Sequence, residues 1–244
     1  NKKNYLKFKK ILKKNIINID VKNYSSWSDF KLKQPDALFV SGWRYKEFRQ
    51  LINFSKSKKI KIVSMVDNSE KKNFRQLVGK YIFKTLFKNN FDAYWVPGES
   101  SRKLLKSYGI KKGIFKNLYA INTQIFKLTK NINKRSNNFI FVGQMIERKN
   151  IKLLVNLFKK IFIKFKYLKL FIITNNFKKN IIPKKYKKNI IIKKNLTPIV
   201  LNRYLNLNKY FIFLSKEDHW PLSVMESLAA GNILILSNKI GNFF

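Results

Sequence analysis

The sequence predicts an α/β protein made of two units, each with a parallel sheet. Short apolar runs alternate with amphipathic stretches, the alternation breaks at a basic, Asn-rich stretch over 127–138, and it then starts again. We therefore expect a first domain over 1–127 and a second over 128–244. There is no initiator Met, and the sequence stops just after a predicted strand. Both units are therefore expected to be truncated, so the chain is interpreted as a fragment.

The first unit is predicted to hold three strands and three helices. Buried-type apolar runs predict strands at 37–40, 60–66 and 93–96, each bounded by turn residues. Apolar residues at helical spacing predict helices at 45–57, 71–89 and 99–108. The second of these helices carries Phe74, Leu77, Val78, Tyr81, Ile82, Leu86 and Phe87. Gly109 suits the end of the third helix.

The second unit repeats the same order with more strands. Apolar runs predict strands at 139–142, 168–174, 189–192, 210–214 and 233–236. The intervening stretches predict helices at 150–165, 198–207 and 221–230. Ligands of such folds bind at the carboxyl ends of the strands, so the residues that directly follow each strand are the informative ones.

Composition excludes several classes of site. The chain has no cysteine and one histidine, which rules out disulfides, thiolate metal sites and centres that need two histidines. No metal and no cofactor are expected. Without cysteine the sequence suits a reducing compartment, and no apolar run approaches the roughly 18–20 residues of a membrane span. We expect a cytoplasmic protein, at the inner face of the membrane.

The charge is strongly positive but names no partner by itself. Lys and Arg number 53 against 12 Asp and Glu, giving +41, and the excess is nearly all Lys spread along the chain. Together with the abundant Asn, Ile and Phe, this is interpreted mainly as AT-rich coding bias at solvated surfaces, with a weak attraction to anionic lipid as the remainder. Because Arg, the residue favoured for reading bases, is scarce, no nucleic acid partner is expected.

Two segments carry candidate chemistry, and the first follows the opening strand of the second unit. Gly143 would let the backbone turn out of the strand, and Lys149 lies just before a helix that Asn150 could cap. A lysine beside a helix start can meet a phosphate with a full charge and oriented N–H groups. The alternative is an ordinary strand–turn–helix with a solvated lysine.

The second segment, 215–231, concentrates acidic residues in a chain where they are rare. Glu217 and Asp218 precede a helix whose first turn suits Pro221, and Glu226 lies inside that helix. Two carboxylates so placed could hold sugar hydroxyls while the helix start faces a diphosphate. The alternative is a capped core helix with an acidic N-terminal turn.

Together these segments resemble the C-terminal half of the retaining GT-B glycosyltransferases of the group 1 type. Residues 139–154 resemble that family's Gly-Arg-Leu-x-x-x-Lys-Gly turn, and Asp218 and Glu226 have the spacing of its Glu-x7-Glu segment. The stretches 36–43, 91–98 and 117–126 also fit the family pattern. The resemblance implies two Rossmann-like domains and the transfer of a sugar from a nucleotide-sugar donor to a glycan or lipid-linked acceptor, with retention of anomeric configuration.

The resemblance also implies roles for single residues. Lys149 would contact the donor diphosphate and Glu226 the ribose hydroxyls, and Asp218, as the catalytic residue, would face the transferred sugar. Gln144 stands where the family usually has a phosphate-binding Arg, and an amide supplies no charge. The remaining residues assigned to the donor site are Gly143, His219 and Ser223. His219 could touch the sugar or phosphate, or be an ordinary loop residue.

The acceptor side is expected in the first unit. By position after the predicted strands, it would be lined by Gly42, Trp43, Asp67 and Asn68, although all four could equally be turn residues. Val66 stands where family members often have a His before the Asp. Trp43 and Trp95 are interpreted as core residues rather than sugar platforms. A catalytically inactive fragment and a basic nucleic-acid-binding protein remain the alternatives.

Overall fold

The computed structural model describes residues 36–70, 73–176 and 182–241. They form two wholly parallel sheets, as the alternating pattern predicts, with four strands in the first and five in the second. In the first sheet the strands are β1 (Ala37–Val40), β2 (Lys61–Met65), β3 (Ala93–Trp95) and β4 (Ile114–Phe115), in that spatial order. The second sheet is made of β5 (Ser136–Val142), β6 (Leu170–Ile173), β7 (Ile190–Lys193), β8 (Asn208–Phe213) and β9 (Ile233–Leu236).

Helices connect the parallel strands in both units. In the first unit they are α1 (Lys46–Ser57), α2 (Phe74–Ile82) and α3 (Glu99–Ser107), and a π-helical turn, Phe83–Phe87, continues α2. In the second unit they are α4 (Ile151–Lys164), α5 (Pro198–Leu207) and α6 (Leu222–Ala229). The first two residues of the predicted helix 71–89, and residues 1–35 of the predicted first domain, lie outside the described residues.

The order of the second sheet, β7-β6-β5-β8-β9, fixes which loops meet. β5 lies at the centre with β8 beside it, and β9 follows next to β8. Because all these strands are parallel, the loops after β5, β8 and β9 emerge side by side at one edge of the sheet. Both segments with candidate chemistry start in these loops.

Each sheet has its own apolar core. The core of the second unit is the larger, and Phe141, Phe158 and Phe211 are completely buried in it. Phe126 belongs to this core, and Ile121 and Ile125 pack against it, although all three precede residue 128, where we expect the second domain to begin. The residues that lead into β5 therefore pack with the second unit.

The structure departs from the sequence pattern at two places in the first unit. The short β4 was not predicted, because two residues are too few to show an apolar period. In α2 the apolar residues are exposed and none is buried, whereas an amphipathic helix normally buries its apolar face. Gly109 does end α3 in the left-handed conformation, with φ of 83°.

Candidate active site

The central feature of the site is a buried ion pair between the loops after β5 and β8. The Lys149 ammonium contacts one oxygen of Asp218, and both side chains are about nine-tenths shielded from solvent. Arg148 forms an ion pair with the other carboxylate oxygen, which lies 3.1 Å from its Nη1. The two loops are tied together by the Lys216 N–H, which donates to the Arg148 carbonyl at 2.8 Å. The packing of these two loops therefore brings the predicted lysine and acid into direct contact.

Lys149 lies in the core rather than in solvent. It ends a short 3₁₀ turn, Glu147–Lys149, and its amine lies 4.6 Å from the centroid of the Phe213 ring. Burial lowers the pKa of Lys149, and the hydrogen bond and charge of Asp218 oppose that shift. Only a close anion makes such burial tolerable, because an isolated buried charge is very costly.

One local expectation about the first segment is wrong. Asn150 occupies the N-cap position of α4, but its φ is 57° and its side chain makes no capping bond. Side-chain capping normally requires an extended backbone at this position. Gly143 does not adopt the left-handed backbone; a Cβ there would approach the Phe141 ring to 3.1 Å. The chain nevertheless bends at Gly143, where β5 ends, and the Phe141 ring leaves little room for a side chain there.

The loop after β9 completes this edge of the sheet. The Asp218 N–H donates to the Lys239 carbonyl at 3.2 Å, and the Gly241 N–H donates to the Asp218 carbonyl at 2.8 Å. The loop after β9 thus fixes the backbone of Asp218, while the loop after β5 pairs with its carboxylate. A carboxylate held in this way cannot easily move away from the lysine.

Glu226 and Ser223 lie on α6 and are half-buried. Burial raises the pKa of Glu226, and within the described residues its carboxylate has no hydrogen bond or ion pair, to Lys149 or any other group. The structure therefore joins Lys149 to Asp218 but does not join either of them to Glu226. Pro221 occupies the N-cap of α6 instead of its first turn. Gln144 is exposed after β5.

His219 reaches across to the first unit. Its Nδ1 accepts from the Ser69 N–H at 3.3 Å and is also hydrogen-bonded to the Ser69 hydroxyl. Its Nε2 lies 3.6 Å from the Glu217 carboxylate. Because a backbone N–H can only donate, Nδ1 acts as an acceptor and the ring hydrogen is assigned to Nε2. His219 thus fastens the loop after β8 to the loop after β2.

Trp220, the next residue, also contacts the first unit. Its ring lies so close to Gly98, the N-cap of α3, that a Cβ at Gly98 would collide with it. The Trp220 Nε1 is buried and has no hydrogen-bond partner in the described part of the chain. The segment His219–Trp220 is therefore an interface between the two units.

Two cavities lie along this interface. The larger has a volume of about 490 Å³ and is lined by the start of α3, the residue after β4 and the loops after β8 and β9. Its polar lining includes Ser100, Lys103, Lys116, Asn117 and Asn238. The smaller, of about 300 Å³, shares Ser100, Asn238, Ile240 and Gly241 with it and extends to Ser69 and Lys216. Both cavities are in the size range of small-molecule sites.

The predicted acceptor-side residues follow their strands in the first unit. Gly42 has a left-handed φ of 89° after β1, and the Trp43 ring packs on Phe83 with centroids 4.7 Å apart. Asp67 and Asn68 are exposed after β2. The Tyr119 hydroxyl donates to Asp67 at 3.1 Å, and burial, followed by the charge of Asp67, raises the pKa of Tyr119 to about 12.

Several residues at the site were missed by sequence reasoning. Arg148 could have been found, because it directly precedes Lys149 and is a nearby arginine in a segment where the family's usual arginine is replaced by Gln144. Ser69 and Tyr119 carry no such signal, since each meets its partner only through the fold; His219 is 150 positions away from Ser69. Among the described residues, no group of three or more His, Asp or Glu could hold a metal ion.

Comparisons with solved structures reveal the same fold. TarM of S. aureus is 18% identical with a TM-score of 0.62, over 82% of this chain and 40% of TarM. The pneumococcal O-GlcNAc transferase GtfA, solved with UDP and GlcNAc, is 11% identical with a TM-score of 0.58, over 78% of this chain and 39% of GtfA. The trehalose 6-phosphate synthase of Burkholderia multivorans is 11% identical with a TM-score of 0.63, over 86% of this chain and 59% of the synthase.

These neighbours are GT-B glycosyltransferases, and the chain spans about 40 to 60% of their lengths. No curated protein sequence matches the chain significantly. The profile of the group 1 glycosyl transferases matches residues 122–243, which is half of the 244 residues and includes the Lys149–Asp218 pair. The chain therefore belongs to the glycosyl transferases group 1 family.

Proposed function

We propose that this chain is the sugar-transferring part of an enzyme that uses a nucleotide-sugar donor and a glycan or lipid-linked acceptor, and that it retains the anomeric configuration. The observation that carries the proposal is the buried Lys149 amine beside Asp218, at the carboxyl edge of the sheet that the family profile matches. UDP is bound in the solved structures of TarM and GtfA, which supports a nucleoside diphosphate as the leaving group.

The charges of the site suit a departing diphosphate. Two cations, Lys149 and Arg148, face one carboxylate, Asp218, so the cluster keeps one net positive charge. The ammonium has three N–H donors, and Asp218 needs only some of them. Fixed positive charge where negative charge develops is the main way such a site lowers the barrier. Arg148 can thereby compensate for the uncharged Gln144.

The carboxylates would have separate tasks. Asp218, held by the loops after β5 and β9, would face the transferred sugar while it positions Lys149. Glu226, half-buried and without an ion pair in the described residues, would hold the ribose hydroxyls. Gly143, Gln144, His219 and Ser223 complete the proposed donor side.

The acceptor would enter between the two units. The cavities there are lined by residues of both units. Ser69, which lines the smaller cavity, directly follows Asp67 and Asn68 in the sequence. We place the acceptor against the loop after β2, which carries Asp67, Asn68 and Ser69. Gly42 and Trp43, which follow the neighbouring strand β1, would lie on the same side of the acceptor site. Lysines at 103 and 116 make the larger cavity favourable for an acceptor that carries negative charge.

We further propose that transfer needs no metal ion, because Lys149 and Arg148 supply the positive charge at the leaving group. No organic cofactor is required for a transfer in which the nucleotide sugar is itself the activated substrate. The scarcity of Arg argues against a nucleic acid partner. The absence of cysteine suits the reducing cytoplasm, where we place the protein.

A thermal-shift screen with UDP-, GDP- and ADP-sugars tests the donor assignment. One donor class should raise the melting temperature of the wild type and should fail to stabilise Lys149→Ala and Glu226→Ala. Lys152→Ala, which changes an exposed lysine on α4, three residues after Lys149, is the matched control and should respond like the wild type. A donor that stabilises all four proteins equally would refute the proposed site.

Turnover distinguishes the enzyme from an inactive binding protein. Nucleotide release from the stabilising donor, followed by proton NMR of the first product, should show the anomeric configuration of the donor. Donor binding without any nucleotide release, with or without candidate acceptors, would instead favour the inactive alternative.

A further inference from the structure

The outer surface of α2 and its π-helical continuation is apolar, and none of the described residues covers it. Six large side chains over 74–86 are exposed: Phe74 by 80%, Leu77 by 60%, Val78 by 44%, Tyr81 by 71%, Ile82 by 39% and Leu86 by 65%. We call this set the α2 apolar face. Within the described residues, α2 buries no residue at all.

Helix geometry shows that the face points away from the protein. In the described part of the chain, Gln76 and Gly79 of α2 and Phe83 of its continuation face the rest of the first unit: Gln76 donates to the Ser69 carbonyl at 2.7 Å, Gly79 lies near the Tyr108 hydroxyl, and Phe83 is fully buried. At about 100° per residue, these three lie on one side, and the six exposed apolar residues cover about 180° on the other. The helix therefore packs through its less apolar side.

Basic residues border this face. Arg75 lies beside Ile82 on one edge, and Lys80 and Lys84 lie beside Leu77 on the other, as the same helical spacing places them. All three are exposed, and no acidic residue occurs between 71 and 91. An apolar helix face with a basic border is the pattern of helices that lie in the plane of a membrane interface.

We propose that the α2 apolar face binds an anionic phospholipid surface. The apolar side chains would enter the headgroup region while Arg75, Lys80 and Lys84 contact lipid phosphates. The net charge also disfavours a second copy of this chain as the partner of the α2 apolar face, because two chains of +41 would repel each other. No described helix is long and apolar enough to cross a membrane, so the contact would lie on the surface.

Vesicle flotation of the intact 244-residue chain tests this proposal without any sugar transfer. The probes are vesicles of phosphatidylcholine alone and of an equimolar mixture with phosphatidylglycerol. The wild type should float with the mixed vesicles and much less with phosphatidylcholine. Leu77→Gln/Leu86→Gln should weaken binding to the mixed vesicles at least about tenfold, since burying one leucine side chain exceeds the free energy of a tenfold change.

The matched control is Leu153→Gln/Ile163→Gln. These residues are 50% and 69% exposed on α4, so the control makes the same kind of change on another helix surface. It should bind like the wild type. Three results would each overturn the proposal: equal binding by the α2 variant and the wild type, no preference for phosphatidylglycerol, or a wild-type dimer in sedimentation that the α2 substitutions dissociate.

Discussion

The two sheets are built from the same strand–helix repeat, yet α2 of the first unit and α4 of the second pack very differently. In the second unit α4 buries Ile151, Leu154, Val155, Phe158 and Phe162 against the sheet. In the first unit α2 buries nothing and turns its apolar side chains outward. Among the described residues, 21 buried apolar side chains form the second core and 12 the first. The repeat pattern thus specifies the fold class but not how completely each unit closes over its own core.

The ion pairs of the two units show the same contrast. Lys149 and Asp218 in the second unit have side chains only 10% and 9% exposed. In the first unit Lys61 and Asp92 lie 3.2 Å apart, with side chains 73% and 44% exposed. An ion pair is expected to matter for stability only where solvent does not screen it, so the two pairs should respond very differently to substitution.

The largest expected effect is that of Asp218→Asn. Removal of this carboxylate leaves the Lys149 ammonium buried without an anion, which should lower the free energy of unfolding by about 3–5 kcal/mol. Denaturant unfolding measures this loss. Lys61→Ala, which breaks the exposed pair of the first unit, should cost less than about 1 kcal/mol. Similar losses for the two variants would contradict the contrast between the units.

The next effect concerns the contact that joins the two units. Gly98→Ala should destabilise the protein by about 1–2 kcal/mol, because its new methyl group must displace the Trp220 ring. The cost should disappear in a Trp220→Ala background, as a thermal-unfolding double-mutant cycle would show. If Gly98→Ala costs the same in both backgrounds, the ring does not limit the space at Gly98.

The smallest effect is a pH dependence at Glu226. Burial raises its pKa in the folded state above 4.5, so protonation contributes stability that is present below 4.5 and is lost as the pH rises through the folded pKa. Glu226→Gln, which stays neutral, should therefore raise the melting temperature slightly at pH 7 and have less effect near pH 4. Glu147→Gln, at an exposed position on the same sheet edge, is the control and should show no such rise. A melting temperature that falls at pH 7 in Glu226→Gln would contradict this assignment.

The sequence predicted most strands because buried parallel strands are nearly continuous apolar runs, as at 170–173. The prediction was less informative at α2, since a helical period indicates that one face is apolar but does not show whether the protein covers it. The proximity of Lys149 and Asp218 followed from the family resemblance and from strand order. Their direct contact did not, because it depends on how the loops after β5, β8 and β9 pack. The link from His219 to Ser69 had no local signal at all.

The most direct test of the central claim is calorimetric titration of UDP, or of the nucleotide that the screen selects, into three proteins. The wild type and the exposed-lysine variant Lys152→Met should bind with the same affinity. Lys149→Met should bind at least about tenfold more weakly, since a charged hydrogen bond to phosphate contributes about 1.5–3 kcal/mol. Equal affinities in all three proteins would contradict the claim that the buried lysine at the edge of the second sheet holds the donor diphosphate.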